Sequence, residues 1–571
     1  MKMIYRFVPL GLLVIMLLVA CTPTVPATEA PQPTEVPAEA PIEAPEVSPT
    51  EAPAASGYEA LAVKADCASG STIGEIAAVD ELTVKFALCR PDPAFLSKAS
   101  FIAFGIQPRE HLEATAANKE LLENPIGTGP WQLSSWERGD NMSFKRFDDY
   151  WGEPAKAETL VFRWSTESGA RLLELQAGTA DGIDFPAPPS YETILSDSNY
   201  QLIYKAPLNL FYLGMNNKYK PFDDVRIRKA IAMGIDRQRI LDNFYPKGSK
   251  LATNFTPCEI ANGCAGDDWY AFDPEAARAL MVEAGYADGF KTKLFYRDVV
   301  RSYLPEVGQL AQEIQAQLLN NLNIQAEIVV LESGEFVASA GEGRLEGLHM
   351  YGWIADFPHI TNFLDTHFGA TSIRFGTLPP EIYEPIQKGA QVADPAKAEP
   401  FYAEANNAIR DFVPTIPMIH AVSAAAYKAD MENAAASPLS TDNFAVMDPG
   451  GRDMIVWMQS AEPISLYCAD ESDSESLRAC AQVVEPLYSY VPGGTDIQPA
   501  LAKSCEPNED LTVWTCQLRE NVKFHDGSLL DANDVVASWV AGWDASSPLH
   551  VGNTGIFEYY TTLFGLINLA Q

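Results

Sequence analysis

The residues best placed to do chemistry are a few histidines, carboxylates and cysteines, and their spacing decides what they can do. His525 and Asp526 are adjacent in FHDG (524–527), and His359 follows Asp356 by three positions. The first pair invites an acid–base reading, which needs a base within hydrogen-bond reach of the proton that it moves, whereas spacing alone does not make His359 and Asp356 a dyad. The other histidines (111, 349, 367, 420 and 550) are scattered. No GxSxG, HExxH, P-loop or Rossmann glycine pattern occurs, and GTGPW (127–131) lacks the glycines and the lysine that would cradle a phosphate. Apart from Cys21, the cysteines fall into local pairs: Cys67 with Cys89, Cys258 with Cys264, Cys468 with Cys480, and Cys505 with Cys516. With no CxxC and no histidine cluster at ligand spacing, disulfides fit these pairs better than zinc. No metal or other cofactor is expected.

The elements that would position such residues read as α/β. KTKLFYR (291–297) is a predicted strand, and 304–319 is a helix with Val307, Leu310, Ile314 and Leu318 on one face. Residues 324–331 form the next strand, so the pair should be parallel with a right-handed crossover. Before them, Asp273 caps a helix, Pro274 opens it and Gly285 closes it. PFDDVRIRKAIAMGIDRQRIL (221–241) reads as one amphipathic helix. Hairpins are expected between Cys67 and Cys89, turning near Val79-Asp80-Glu81, and between Cys505 and Cys516.

Met1–Ala20 has a basic start and a fourteen-residue apolar run, short for a spanning helix and suited to a signal peptide. LVAC (18–21) resembles a lipobox, which would make Cys21 a lipidated N-terminus. Residues 21–57 form a tether with nine prolines and no lysine or arginine, too poor in apolar surface to fold. Roughly 515 residues remain, too many for one core. A net charge of −36 argues against a nucleic-acid partner, since phosphates need lysine and arginine.

Several blocks together resemble the family 5 (peptide-type) solute-binding proteins of ABC importers. They are NPIGTGPWQLSSWERGDNMSFKRFDDYW (124–151), LLELQAGTADGID (172–184), LGMNNKYKPFDDVRIRKAIAMGIDR (213–237), DPEAARALMVEAGY (273–286), GWIADFPHITNF (352–363) and VPTIPMIH (413–420). MIVWMQSAEPISL (454–466), EPLYSY (485–490) and VWTCQLRENVKFHDGSLLDANDVVAS (513–538) resemble the family's opening blocks, which there stand first and here stand last. The resemblance therefore implies a circular permutation, with the former ends joined near 440–455 and the new ends lying together. A mis-assembled gene would give the same order; the lipobox, the tether and the seamless match at both ends argue against it.

What the resemblance implies is a two-lobed periplasmic-binding-protein-like α/β fold (type II, cluster C-like) with a hinge and an interlobe cleft. The expected division is signal peptide 1–20, tether 21–57, lobe I 58–208, lobe II 209–424 and the second part of lobe I 425–571. The implied function is a non-enzymatic, monomeric, lipid-anchored binding protein on the outer face of the cytoplasmic membrane. It would capture a peptide and deliver it to membrane permease and ATPase partners. Oligosaccharides, opines and nickel chelates are alternative ligands within the family. A ligand-presenting sensor and a secreted hydrolase are alternatives of other classes. FHDG is in the family a structural turn that Gly527 permits. Asp356 stands where peptide-binding relatives pair an aspartate with the ligand's α-ammonium, a charge-assisted contact. Trp353 would wall the same cleft, with Asn216, Ile464 and Tyr467 as further ligand candidates. Trp353 also reads as a core aromatic, and Asp356 as a capping or turn residue.

Overall fold

The computed structural model describes residues 58–569. The signal segment and the tether, with Cys21, lie outside the described residues. Strands collect into three larger sheets and a two-stranded hairpin, Tyr488–Tyr490 with Ile497–Pro499. An antiparallel sheet of five runs Ala62–Lys64, Ile73–Asp80, Thr83–Leu88, Val513–Leu518, Ala502–Pro507. The strand Thr83–Leu88 thus pairs with a segment more than four hundred residues later. A sheet of seven runs Trp131–Glu137, Asn141–Arg146, Thr159–Trp164, Met454–Gln459, Gly182–Asp184, Ser423–Lys428, Tyr200–Lys205. Met454–Gln459 lies in it parallel to both neighbours. A sheet of six runs Lys250–Leu251, Thr415–His420, Asn209–Met215, Leu348–Ile354, Lys291–Arg297, Gln325–Leu331.

The local signals that build the last sheet are those of the sequence. Lys291–Arg297 and Gln325–Leu331 are parallel, joined by the helix Val307–Leu322, whose buried face carries Val307, Leu310, Ile314 and Leu318. Asp273 caps Pro274–Glu283 by accepting the Ala276 N–H (3.0 Å). One expected element is corrected. Residues 221–241 are not one helix but two, Val225–Gly234 and Arg237–Phe244. Ile235 is extended between them, and Asp236 caps the second by accepting the Arg239 N–H (2.9 Å). The apolar period runs on across a capping aspartate, so period alone does not reveal the break.

All four expected cysteine pairs are disulfide-bonded. Cys67 is joined to Cys89, Cys258 to Cys264, Cys468 to Cys480 and Cys505 to Cys516. Each bond closes a local loop, so these eight sulfurs are structural and none is a free thiol. Cys67 and Cys89 staple the two ends of the hairpin Ile73–Asp80 with Thr83–Leu88. Cys258 and Cys264, six positions apart, close a tight loop beside Thr253, whose hydroxyl lies 3.4 Å from Cys264 Sγ. Cys468 and Cys480 tie a short turn to the helix Ser474–Val483, both within the apolar interior. Cys505 and Cys516 face each other across the second hairpin, in register.

Two large hydrophobic cores form. The first draws on 73–162 and on 425–567, and it includes the fully buried Trp457, Trp539 and Trp543. Phe104 stacks on Trp539 (4.9 Å) and Phe86 meets its edge (4.8 Å). Burying each such side chain contributes at least about 1.5–3 kcal/mol. The second core draws on 208–439. The chain passes from the sheet of seven to the sheet of six at 206–208 and returns at 421–422. These two passages run side by side. Asn209 Nδ2 donates to the Ala421 carbonyl (2.8 Å), its Oδ1 accepts the Ala421 N–H (3.0 Å), and His420 Nδ1 donates to the Asn209 carbonyl (2.7 Å).

Early and late parts of the chain interlock within the first core. The Thr72 N–H donates to the Phe564 carbonyl (2.7 Å), and the Leu61 N–H donates to Asn533 Oδ1 (2.8 Å). A buried ion network joins the sheet of seven to the helix Ser474–Val483. Asp184 accepts from Lys205 Nζ (2.7 Å) and from Arg478, whose Nε also donates to Asp442 (2.8 Å). Among the described residues no helix is long and apolar enough to cross a membrane.

Candidate functional site

The strand Leu348–Ile354 sits inside the sheet of six, antiparallel to Asn209–Met215, with Ile354 opposite Asn209. Its end runs into a short loop and then the helix Ile360–Phe368, capped by His359, whose Nδ1 receives the Thr361 N–H (3.3 Å). This strand–loop–helix turn delivers both Trp353 and Asp356, each half-buried.

Asn362 joins them. Its Oδ1 accepts from Trp353 Nε1 (2.9 Å) and from the Asp356 N–H (3.2 Å), while its Nδ2 donates to Asp356 Oδ2 (2.9 Å). The other carboxylate oxygen accepts from the Tyr559 hydroxyl (2.9 Å). Tyr559 belongs to the first core and packs against Phe101 (4.7 Å), whereas Trp353 packs against the second. Asp356 is therefore held from both sides of the junction between the cores.

Burial pushes the Asp356 carboxyl up to about 7, against the lowering effect of Asn362 and Tyr559, and Glu558 pushes it further. An ammonium placed beside it would favour the ionised form, since an opposite charge at contact distance lowers a carboxyl pKa. Trp353 lies edge-on to the buried His367 (5.1 Å). Arg297 and Arg374 face the Tyr351 ring (5.3 and 5.9 Å), and Arg374 feels Glu558. The region thus offers a carboxylate, guanidinium groups and aromatic walls.

The remaining candidates lie elsewhere. Asn216 follows Met215, which pairs with Leu348 at the other end of the ladder from Ile354. Six strand positions separate these pairs, about 20 Å. Its amide is spent on the Gly343 carbonyl (2.8 Å) and the Lys218 N–H (2.9 Å). Tyr467 is buried in the first core, 6.1 Å from Phe557. Ile464 is exposed and lines a cavity of about 140 Å3 together with Glu558, the neighbour of Tyr559.

The histidine–carboxylate pairs do not form dyads. His525 Nε2 donates to the Gly129 carbonyl (2.9 Å), while Asp526 accepts from Ser528 N–H (2.9 Å) and hydroxyl (2.6 Å), and Gly527 has φ +89°. His359 is bonded to the Thr361 hydroxyl (2.8 Å). Burial holds both imidazoles at about 4.

Two residues of the site are absent from the sequence reading. Asn362 stands inside the quoted block GWIADFPHITNF, where a polar residue on the first turn of a helix was the available signal. Tyr559 lies 203 positions from Asp356 and offers no local signal.

The family described as bacterial extracellular solute-binding proteins, family 5 Middle, matches residues 47–375 and 496–553. A dipeptide-binding protein of Escherichia coli (strain K12) is 30% identical over 380 residues, covering 65% of this chain and 71% of that protein. Heme-binding protein A of Haemophilus influenzae is 26% identical, covering 66% and 69%. Among solved structures, an ABC transporter-associated periplasmic binding protein from Helicobacter pylori in complex with the peptide STSA superposes with a TM-score of 0.57 at 25% identity, covering 63% and 71%. A dipeptide-binding protein from Pseudoalteromonas in complex with Met-Leu gives 0.60 at 24%, covering 66% and 76%, a likeness of fold.

Proposed function

The chain belongs to the bacterial extracellular solute-binding proteins, family 5, and from that premise we propose that it captures a di- or oligopeptide between two lobes and passes it to an ABC permease. Members of this family are substrate-binding transport proteins, not enzymes. The relatives named for dipeptides and the neighbour holding STSA favour a peptide over other solutes.

One observation carries the ligand assignment: a half-buried carboxylate, Asp356, stands at the junction of the cores beside Trp353, its oxygens held by neutral donors. A ligand's α-ammonium is the charge that such a carboxylate lacks, and charge-assisted hydrogen bonds are the stronger kind. Calorimetric titration with free and N-acetylated dipeptides tests it. Free peptides bind and acetylated ones bind far more weakly. Tight binding of a neutral sugar with no response to peptides would overturn the assignment.

The lobes are taken as 58–208 with 425–571, and 209–424. The two large cores and the two side-by-side passages at 206–208 and 421–422 support that division and a hinge there. Closure by such a hinge is a population shift set by the ligand's differential affinity for the closed form. The permuted order is likewise proposed. It is supported by the late strand Met454–Gln459 lying between Thr159–Trp164 and Gly182–Asp184, and by the bonds between 61–72 and 533–564. Cross-linking between the 58–66 region and the last ten residues tests it, and intermolecular links alone would count against it. Lipid anchoring through Cys21 rests on LVAC. Cys21→Ser should move the protein from the membrane to the soluble fraction, and unchanged retention would reject the anchor.

A further inference from the structure

The short helix Phe95–Ala99 belongs to the first core through Phe95 and Ala99, and it reaches the loop that carries Asp356. Two contacts make the crossing. The Ser97 carbonyl accepts the Tyr490 hydroxyl (2.5 Å), and Tyr490 packs against the second core. The Lys98 ammonium lies 6.0 Å from the centre of the Phe357 ring and 5.9 Å from that of Phe564. Phe564 is part of the first core, whereas Phe357 directly follows Asp356. Phe357 is fully buried, yet neither large core includes it. Its ring thus sits at the junction, under the Lys98 ammonium.

Lys98 is a buried cation whose ion-pair partner, Asp92, stands on its own side (2.6 Å). The other Asp92 oxygen accepts the Ala94 N–H (3.0 Å). The second core presents Asp365, on the helix Ile360–Phe368 into which the Asp356 loop runs. Among the described residues, no hydrogen bond or ion pair holds the Asp365 carboxylate. It is open to solvent, yet desolvation raises it to about 6, while Lys98 and Arg90 pull it down. A group that is both exposed and desolvated lines a narrow crevice. Burial, and then the Lys98 charge, hold the imidazole of His359, the cap of that helix, at about 4. Lys98 is therefore felt by three residues on the Asp356 side: Phe357, His359 and Asp365.

We infer that Lys98 is a positioning residue for ligand capture, a latch that fastens the Asp356 loop of one lobe to the other through Phe357 and Asp365 without touching the ligand. The inference rests on the two-lobe reading with Asp356 in the cleft. A cation over an aromatic face is attracted by the ring's quadrupole, more strongly where water is excluded. An opposite charge across a crevice adds a weaker pull, which salt screens. Opening would carry Phe357 and Asp365 away and leave Lys98 with Asp92, so both attractions belong to the closed form. A contact made only on closing raises the closed population, and with it the apparent affinity.

The probe is the neutral dipeptide Ala-Phe, titrated calorimetrically into the full chain. Lys98→Met keeps an apolar stem and removes the charge; it should weaken binding about three- to tenfold, and Lys98→Arg should restore most of the loss. Asp365→Asn should cost about two- to threefold in low salt and little in high salt. In the Lys98→Met background it should cost nothing, because the two residues act as a pair. Asp365 makes no hydrogen bond, so its substitution tests the crossing even if Lys98→Met, which strands Asp92, lowers the melting temperature. Additive losses, or unchanged affinity in all the variants, overturn the latch and leave the peptide reading standing. If Ala-Phe does not bind the wild type, the peptide reading falls, and X-ray scattering of the ligand-free protein judges the latch alone. The radius of gyration should then be larger for Lys98→Met than for the wild type, and equal radii overturn the latch.

Discussion

Peptide binding should depend on pH through Asp356, and the structure sets the size and sign of the effect. The carboxyl is raised from an ordinary value of 3.8 to about 7, mainly by burial. A ligand ammonium binds the ionised form. Below about pH 7 the protein must first lose a proton, so affinity should fall as pH falls, by at most about tenfold per pH unit. Between pH 7 and 8 the curve should flatten. Binding at pH 6 should release close to one proton, seen as a calorimetric heat that varies with the ionisation enthalpy of the buffer. Stability has the complementary dependence. Below pH 3.8 folded and unfolded chains are both protonated at this position, and the group is neutral to stability. As pH rises towards 7 the unfolded chain ionises first, so the penalty grows and then levels off. Three pH units at about 1.4 kcal/mol each bound that penalty at roughly 4 kcal/mol, and partial exposure of the side chain makes the true figure smaller.

Asp356→Asn separates the two consequences. It removes a charge-assisted contact worth about 1.5–3 kcal/mol, which is about a 10- to 150-fold loss of affinity for free peptides. It should abolish the buffer-dependent heat. At pH 8 the variant's melting temperature should equal or exceed that of the wild type, because an ionised buried carboxylate has gone. Unchanged peptide affinity, or a variant that keeps the wild-type pH profile, would refute the role of Asp356. Glu471 and Asp473, at about 7 and about 6, would then be the groups to examine.

Asn362→Leu removes the amide that joins Trp353 to Asp356 and leaves the indole N–H unpaired. Peptide affinity should fall several-fold, and stability by about 1–3 kcal/mol, measured by calorimetry and urea unfolding. Tyr559→Phe deletes a hydroxyl that lowers the Asp356 pKa; the midpoint of the binding–pH curve should move upward, and a midpoint that stays or falls counts against the contact. Arg478→Met leaves Asp184 and Asp442 short of their shared cation. Breaking such a buried network should cost about 3–5 kcal/mol, read as a lower urea midpoint with peptide affinity per folded molecule unchanged.

What the sequence made legible was whatever is encoded locally. The helix within 291–331 has a 3.6-residue period, Asp273 is followed by Pro274, and Cys505 and Cys516 flank one turn; each signal spans a few residues, and each element formed. The span 221–241 reads as a single helix because its apolar period continues through Gly234-Ile235-Asp236, where a capping aspartate in fact restarts the helix. The site was legible only in part for the opposite reason. Trp353 and Asp356 come from one turn, but the Tyr559 hydroxyl reaches Asp356 only because the last part of the chain folds into the first core. Asn216 shows the same limit: nothing local states that Asn209–Met215 runs antiparallel to Leu348–Ile354, and that register puts Asn216 at the far end of the ladder.

The partners of Asp356 also bear on how closure is powered. The Tyr559 hydroxyl is a neutral donor, and such a hydrogen bond contributes about 1 kcal/mol net. It joins the two cores, so the contact between them has a modest strength of its own. A ligand can shift the balance only by what it gains in the closed form beyond the open one. Each carboxylate oxygen has two lone pairs, so an ammonium can join Asp356 without displacing Tyr559. On the proposed reading, the ligand then adds its charge-assisted contact to an arrangement already in place. A surplus of about 1.5–3 kcal/mol multiplies the closed-to-open ratio by roughly 10 to 150.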